Sequence, residues 1–131
     1  MIIIIEVLNR KKKIIGYVEK KKFFNRKQTL IGFLDGYLVK NENGHILLKL
    51  DDHDDIFIGN EMVGFILNST IYFREEPVFE FSKEKREIYS KDGKDLIVLK
   101  GNHQDFEDLD LFGIAIIYLK NKWWEKIYRY Y

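Results

Sequence analysis

At 131 residues the chain can bury a core in a single domain, and it contains no cysteine, which excludes disulfide scaffolds, thiol catalysis and thiolate metal sites together. Apolar residues, rich in Ile, Phe and Tyr, make up 46% of the chain beside a single proline, a composition that argues against disorder and for strands. The net charge of +1 conceals an asymmetry, with +7 over residues 1–27 and −6 over the other 104.

Ile2 to Ile5 is too short for a signal core, and Glu6 interrupts it. From there, six apolar doublets recur at nearly even spacing: Val7-Leu8, Phe23-Phe24, Leu38-Val39, Ile56-Phe57, Ile71-Tyr72 and Ile88-Tyr89. Each is answered about eight residues later by a second apolar stretch, respectively Ile15–Val18, Ile31–Leu34, Ile46–Leu48, Val63–Ile66, Val78–Phe81 and Leu96–Leu99. Polar or turn-forming residues separate the two halves, so the unit is a β-hairpin used six times. Asn43-Gly44 and Asp92-Gly93 predict type I′ turns, while Gly59-Asn60 and Glu75-Glu76-Pro77 hold the matching places in the fourth and fifth units. Gly16, Gly32 and Gly64 recur at one position of the answering stretches, which predicts a bulge, a barrel corner or close approach by another element. Evenly spaced short strands predict a mainly β fold, an antiparallel barrel or sandwich of about twelve strands spanning residues 6–101.

After Gly101 the repeat breaks. His103 to Asp110 is acidic, and Leu111 to Leu119 is apolar on every side. A helix of that kind has to be buried all round, with Asp105 and Asp108 suiting its first turn and Lys120 and Lys122 its last. The Ile content equally suits a central strand, and length favours the helix, placed at about 106–120. The stretch is about half of what a bilayer crossing needs. Residues 121–131 add Trp123, Trp124, Tyr128, Tyr130 and Tyr131, expected to plug the barrel mouth or to present an aromatic patch. The whole chain, residues 1–131, is read as one domain.

Six hairpins followed by an apolar helix resemble the tubby C-terminal-like barrel superfamily, which includes the phospholipid scramblases and the LURP-one-related proteins. The resemblance rests on hairpin units such as Ile88-Tyr89-Ser90-Lys91-Asp92-Gly93-Lys94-Asp95-Leu96-Ile97 and on the segment from Asp105 to Ile116. It implies a twelve-stranded barrel closed around a hydrophobic helix, and contact with phospholipid. Small bacterial β-flower domains share the hairpin unit, but with fourfold repetition.

No constellation for catalysis emerges. His45, His53 and His103 lie in separate turns, and neither H-E-x-x-H nor G-x-S-x-G occurs, so the expectation is a non-enzymatic chain without cofactor. Asp51-Asp52-His53-Asp54-Asp55 lacks the EF-hand spacing and glycine, and no metal ligand is assigned. Two charged surfaces carry the functional expectation. Arg10, Lys11, Lys12, Lys13, Lys20, Lys21, Lys22, Arg26 and Lys27 would meet an anionic partner, in particular phospholipid head groups, as a cytoplasmic protein able to attach peripherally to a membrane. Asp51, Asp52, Asp54, Asp55, Glu75 and Glu76 would meet a basic protein, as in a small immunity protein that neutralises a nuclease toxin. The plainer reading of the basic run is that it keeps turns solvated. Nucleic acid fits poorly, because the acidic remainder repels a polyanion. A small-ligand barrel requires the last apolar segment to be a strand.

Overall fold

Each doublet pairs with its answering stretch as one antiparallel hairpin. The computed structural model describes residues 4–101 and 106–119, so the expectations placed on His103, Asp105, Lys120, Lys122 and the aromatic tail lie outside the described residues. Twelve strands run in sequence: β1 (Ile5–Leu8), β2 (Ile14–Glu19), β3 (Lys22–Asn25), β4 (Leu30–Asp35), β5 (Leu38–Asn41) and β6 (Ile46–Leu50) form the first half. The second half is β7 (Asp55–Ile58), β8 (Glu61–Leu67), β9 (Thr70–Phe73), β10 (Glu76–Ser82), β11 (Glu87–Ser90) and β12 (Leu96–Lys100). Every strand pairs with its sequence neighbours, and β1 pairs with β12 to close the barrel.

Five of the six hairpins carry a bulge at the same place. Val7 faces Gly16 and Leu8 faces Ile14, leaving Ile15 as the extra residue. The same slip leaves Ile31, Leu47, Val63 and Val78 extra in the next four hairpins. These residues recur at sixteen-residue steps, then fifteen, so the bulge is the structural mark of the repeat. A bulge increases local twist and bends a strand, which curls short strands into a closed barrel.

The turns differ from their predicted types. Gly44 and Gly93 have positive φ, but Asn43 and Asp92 do not, so neither turn is type I′. The Asn41 N–H instead donates to His45 O and the Gly44 N–H to Asn41 O, which is a three-residue loop with one left-handed position. The loops after Asn9 and Asn25 are built alike, with Lys12 and Gln28 left-handed, and in each the Asn Oδ1 accepts two backbone N–H groups. That side-chain acceptor compensates for the missing glycine. Both central residues are left-handed at Asn68-Ser69 and at Arg74-Glu75, so the fifth hairpin turns one residue earlier than Glu75-Glu76-Pro77 implied.

The last apolar segment is a helix, α1 (Asp108–Tyr118), shorter than the predicted 106–120 because Glu107 and Leu119 are extended caps. Asp108 and Asp110 occupy its first turn, where carboxylates complement the dipole. Asp110 Oδ2 accepts the Glu107 N–H at 3.0 Å, and its other oxygen takes the Lys21 ammonium at 2.7 Å. Leu111, Phe112, Ile114, Ala115 and Ile116 are fully buried and share one core with inward strand residues such as Val7, Phe23, Leu48, Ile71, Phe79 and Ile97. The helix therefore fills the interior, and the condition for a ligand-holding barrel is not met.

At its far end the Tyr118 hydroxyl lies 2.8 Å from both Tyr17 O and Phe24 O, and burial pushes its pKa well above that of an ordinary phenol. Gly16 and Gly32 make this seating feasible, since a Cβ at Gly16 would meet Phe24 O and the Tyr118 ring, and one at Gly32 would meet Ile117. Gly16→Ala is expected to destabilise the protein by roughly 1–3 kcal/mol through overpacking against backbone. Gly36→Ala, where a Cβ meets open space, is expected to cost only the left-handed strain of about 1 kcal/mol. Urea denaturation of the two variants side by side checks the order, and equal midpoints would remove the helix from the face of β2.

Candidate interaction surface

Barrel closure decides which charges meet. In a ring of twelve strands, β2 and β8 are six strands apart in either direction and so lie on opposite walls. The basic residues cluster about the first wall. Arg10, Lys11, Lys12 and Lys13 occupy the β1–β2 turn, Lys20 and Lys21 the β2–β3 turn, Lys22 the start of β3, and Arg26 and Lys27 the β3–β4 turn. The acidic residues cluster about the second wall. Asp51, Asp52 and Asp54 lie in the β6–β7 turn, Asp55 opens β7, and Glu75 and Glu76 lie at the β9–β10 turn. Between residues 51 and 76 the chain holds seven carboxylates, Glu61 being the seventh, against one guanidinium, Arg74. Alternate turns lie at opposite ends of the barrel, so each set is split between the two ends of its wall. Arg10 to Lys13, Arg26 and Lys27 share one end, and Lys20 to Lys22 the other.

Not every basic residue is equally available. Lys21 is half-exposed but committed to the buried carboxylate of Asp110. Arg10 donates to Gly93 O across the β1–β12 seam. Lys11, Lys12, Lys13, Arg26 and Lys27 are exposed and have no carboxylate within ion-pair distance among the described residues. A cleft of about 360 Å³ opens at their end of the barrel. Its rim carries Arg10, Lys11, Lys13, Lys94 and Asp95, and its floor Ile15, Leu96, Ile97, Tyr118 and Leu119. Lys94 is a member that the sequence did not single out. Only the pairing of β1 with β12 brings it to the first hairpin.

The acidic end has its own cleft, of about 380 Å³, beside the start of α1. Asp51, Asp52, Asp54, Glu107 and Asp108 line it with Lys83, whose ammonium lies 2.9 Å from Asp108. Asp51 serves the turn itself: its Oδ1 accepts the N–H groups of His53 and Asp55, and the Asp55 bond foremost holds its pKa below the usual range. Asp54 behaves oppositely, for burial first, then the charges of Asp108, Asp51 and Asp55, raise its pKa.

The sign of that shift fixes an outcome. A raised folded pKa means that ionised Asp54 opposes folding above it, a penalty that vanishes below the ordinary value of 3.8. Asn also tolerates the left-handed φ of 63° at this position. Asp54→Asn is therefore expected to melt at a higher temperature than the parent at neutral pH, with the gain closing as the pH falls below the usual carboxylate range. Scanning calorimetry across pH checks it. A loss of stability at neutral pH would mean that the turn needs the carboxylate.

No family model, curated protein or solved structure matches the chain. No helix among the described residues is long and apolar enough to cross a membrane, and no described strand exceeds seven residues, short of the roughly nine that a membrane-crossing barrel strand needs.

Proposed function

We propose that this chain is a non-enzymatic binding barrel whose basic wall engages an anionic phospholipid surface. One observation carries the reading: Lys11, Lys12, Lys13, Arg26 and Lys27 project from two adjacent turns at one barrel end, with no carboxylate partner among the described residues. Turn tips at a barrel end can meet a flat surface together, and each basic residue held near an anionic membrane contributes about 1 kcal/mol. The apolar floor of the adjoining cleft adds a place for the less polar part of a lipid. The tubby-like resemblance supports the same reading, since it implies phospholipid contact. Co-sedimentation with vesicles containing phosphatidylserine, against vesicles of phosphatidylcholine alone, tests it. Binding to the anionic vesicles only, lost at high salt, is the expected result. Equal failure with both would turn attention to an anionic protein.

A second reading is favoured by a separate observation, the seven carboxylates against one guanidinium between residues 51 and 76 on the second wall. At Asp54, burial and the charges of Asp108, Asp51 and Asp55 outweigh the opposing charge of Lys83, so a further cation brought by a partner is favoured there. On this reading the acidic wall meets a basic protein, as a small inhibitor of a basic toxin would.

A further inference from the structure

The acidic wall has an apolar centre. Side chains on β7, β8, β9 and the start of β10 that face away from the core form a continuous stripe: Phe57, Met62, Phe65, Leu67, Tyr72 and Pro77. Register makes them neighbours, since Met62 pairs with Phe57, Phe65 with Tyr72, and Tyr72 with Pro77. Phe65 and Tyr72 stack at 4.8 Å between ring centroids, which gives the stripe a rigid middle. Met62 and Leu67 are 51% and 53% exposed, among the most exposed large apolar side chains described. Carboxylates frame it at both barrel ends, from Asp51 to Asp55 at one and from Glu61, Glu75 and Glu76 at the other. Lys49, paired with Phe57, and Arg74 are the cations at its margin.

We infer that this stripe is a docking surface for a protein segment that presents Lys and Arg around an apolar centre. The inference rests on the second reading above and adds to it where the partner sits and what its contact residues are. Charge complementarity selects the partner: an apolar patch inside a ring of carboxylates repels acidic segments and rewards cations placed at its rim. The opposite wall cannot serve the same partner, because its charge is reversed.

The test uses the whole chain and a phage-displayed library of random 12-residue peptides. Two variants separate the contributions: Met62→Ser with Leu67→Ser removes the apolar centre, and Asp52→Asn with Glu75→Gln and Glu76→Gln removes part of the frame. Unchanged melting curves establish that both remain folded, as expected for exposed positions. The expected result is enrichment of peptides that combine Lys or Arg with Leu, Phe or Trp, and weaker binding by about tenfold or more on each variant. Weakening on the charge variant alone would overturn the docking stripe and leave the second reading standing. Enrichment indifferent to both variants, or none at all, would overturn both. Self-association in sedimentation that disappears on Met62→Ser with Leu67→Ser would also overturn the inference, by making the occupant a second copy.

Discussion

Phe112→Ala is expected to lower the unfolding free energy by roughly 3–5 kcal/mol, the range for deleting a buried ring and leaving a cavity. Phe112 is fully buried near the middle of α1, among side chains of strands on several sides. A barrel of twelve strands that each span four to seven residues has little core of its own until something fills it. The helix supplies that filling, so the cavity cannot be closed by one neighbour relaxing inward. Against a typical total of about 5–15 kcal/mol for a domain, the loss is a large share. Equilibrium denaturation in urea, followed by far-ultraviolet circular dichroism, measures it. A change below about 1 kcal/mol would mean that the strands stand without the helix, contrary to the packing described.

The second large effect is expected at the membrane. Replacing Lys11, Lys12, Arg26 and Lys27 together by Gln removes four of the five exposed cations that these two adjacent turns present without an ion pair among the described residues. At about 1 kcal/mol for each cation near an anionic surface, the variant should bind phosphatidylserine vesicles about a thousandfold more weakly. All four side chains are exposed, so the melting temperature should hold. Lys20→Gln with Lys22→Gln, at the other end of the same wall, provides the contrast. If the turn-tip end docks, this pair changes binding little. If both variants weaken binding alike, the wall is engaged along its side.

The hairpins were legible because a core that alternates with solvent imposes a period of two within each strand, and the doublets and answering stretches keep it. The burial of the last segment was legible from apolarity on every side, while its Ile content suited strand and helix alike and only its length favoured the helix. Turn geometry was harder to read. Arg74, Glu75 and Ser69 adopt left-handed conformations that their residue types do not announce, whereas Gly44 and Gly93 announced a tighter turn than they make. Gly16 and Gly32 signalled a bulge, a corner or a close approach without deciding among them, and did not name Tyr118 and Ile117 as what approaches. The two charged sets were visible as composition, yet their placement on opposite walls follows only from ring closure. Lys94 beside Arg10, and Met62 beside Phe65 on one outward stripe, belong to the same class of fact. Each depends on pairing register rather than on local sequence.

Only one of the twelve strand pairings joins distant parts of the chain. The β1–β12 seam sets Glu6 against Lys100, while every other ladder zips between neighbours in sequence. Local hairpins assemble at small entropic cost, and the seam alone requires the closing of a long loop. The helix that fills the interior follows β12 in the chain, so it arrives after the last strand is made. A ring shut beforehand would exclude it. The expected order of assembly is an open, curled sheet, then the helix laid into its trough, with the seam shutting over it; pulsed hydrogen exchange that protects the seam before α1 would refute it. Closing the β1–β12 seam and burying the core are, in this topology, coupled.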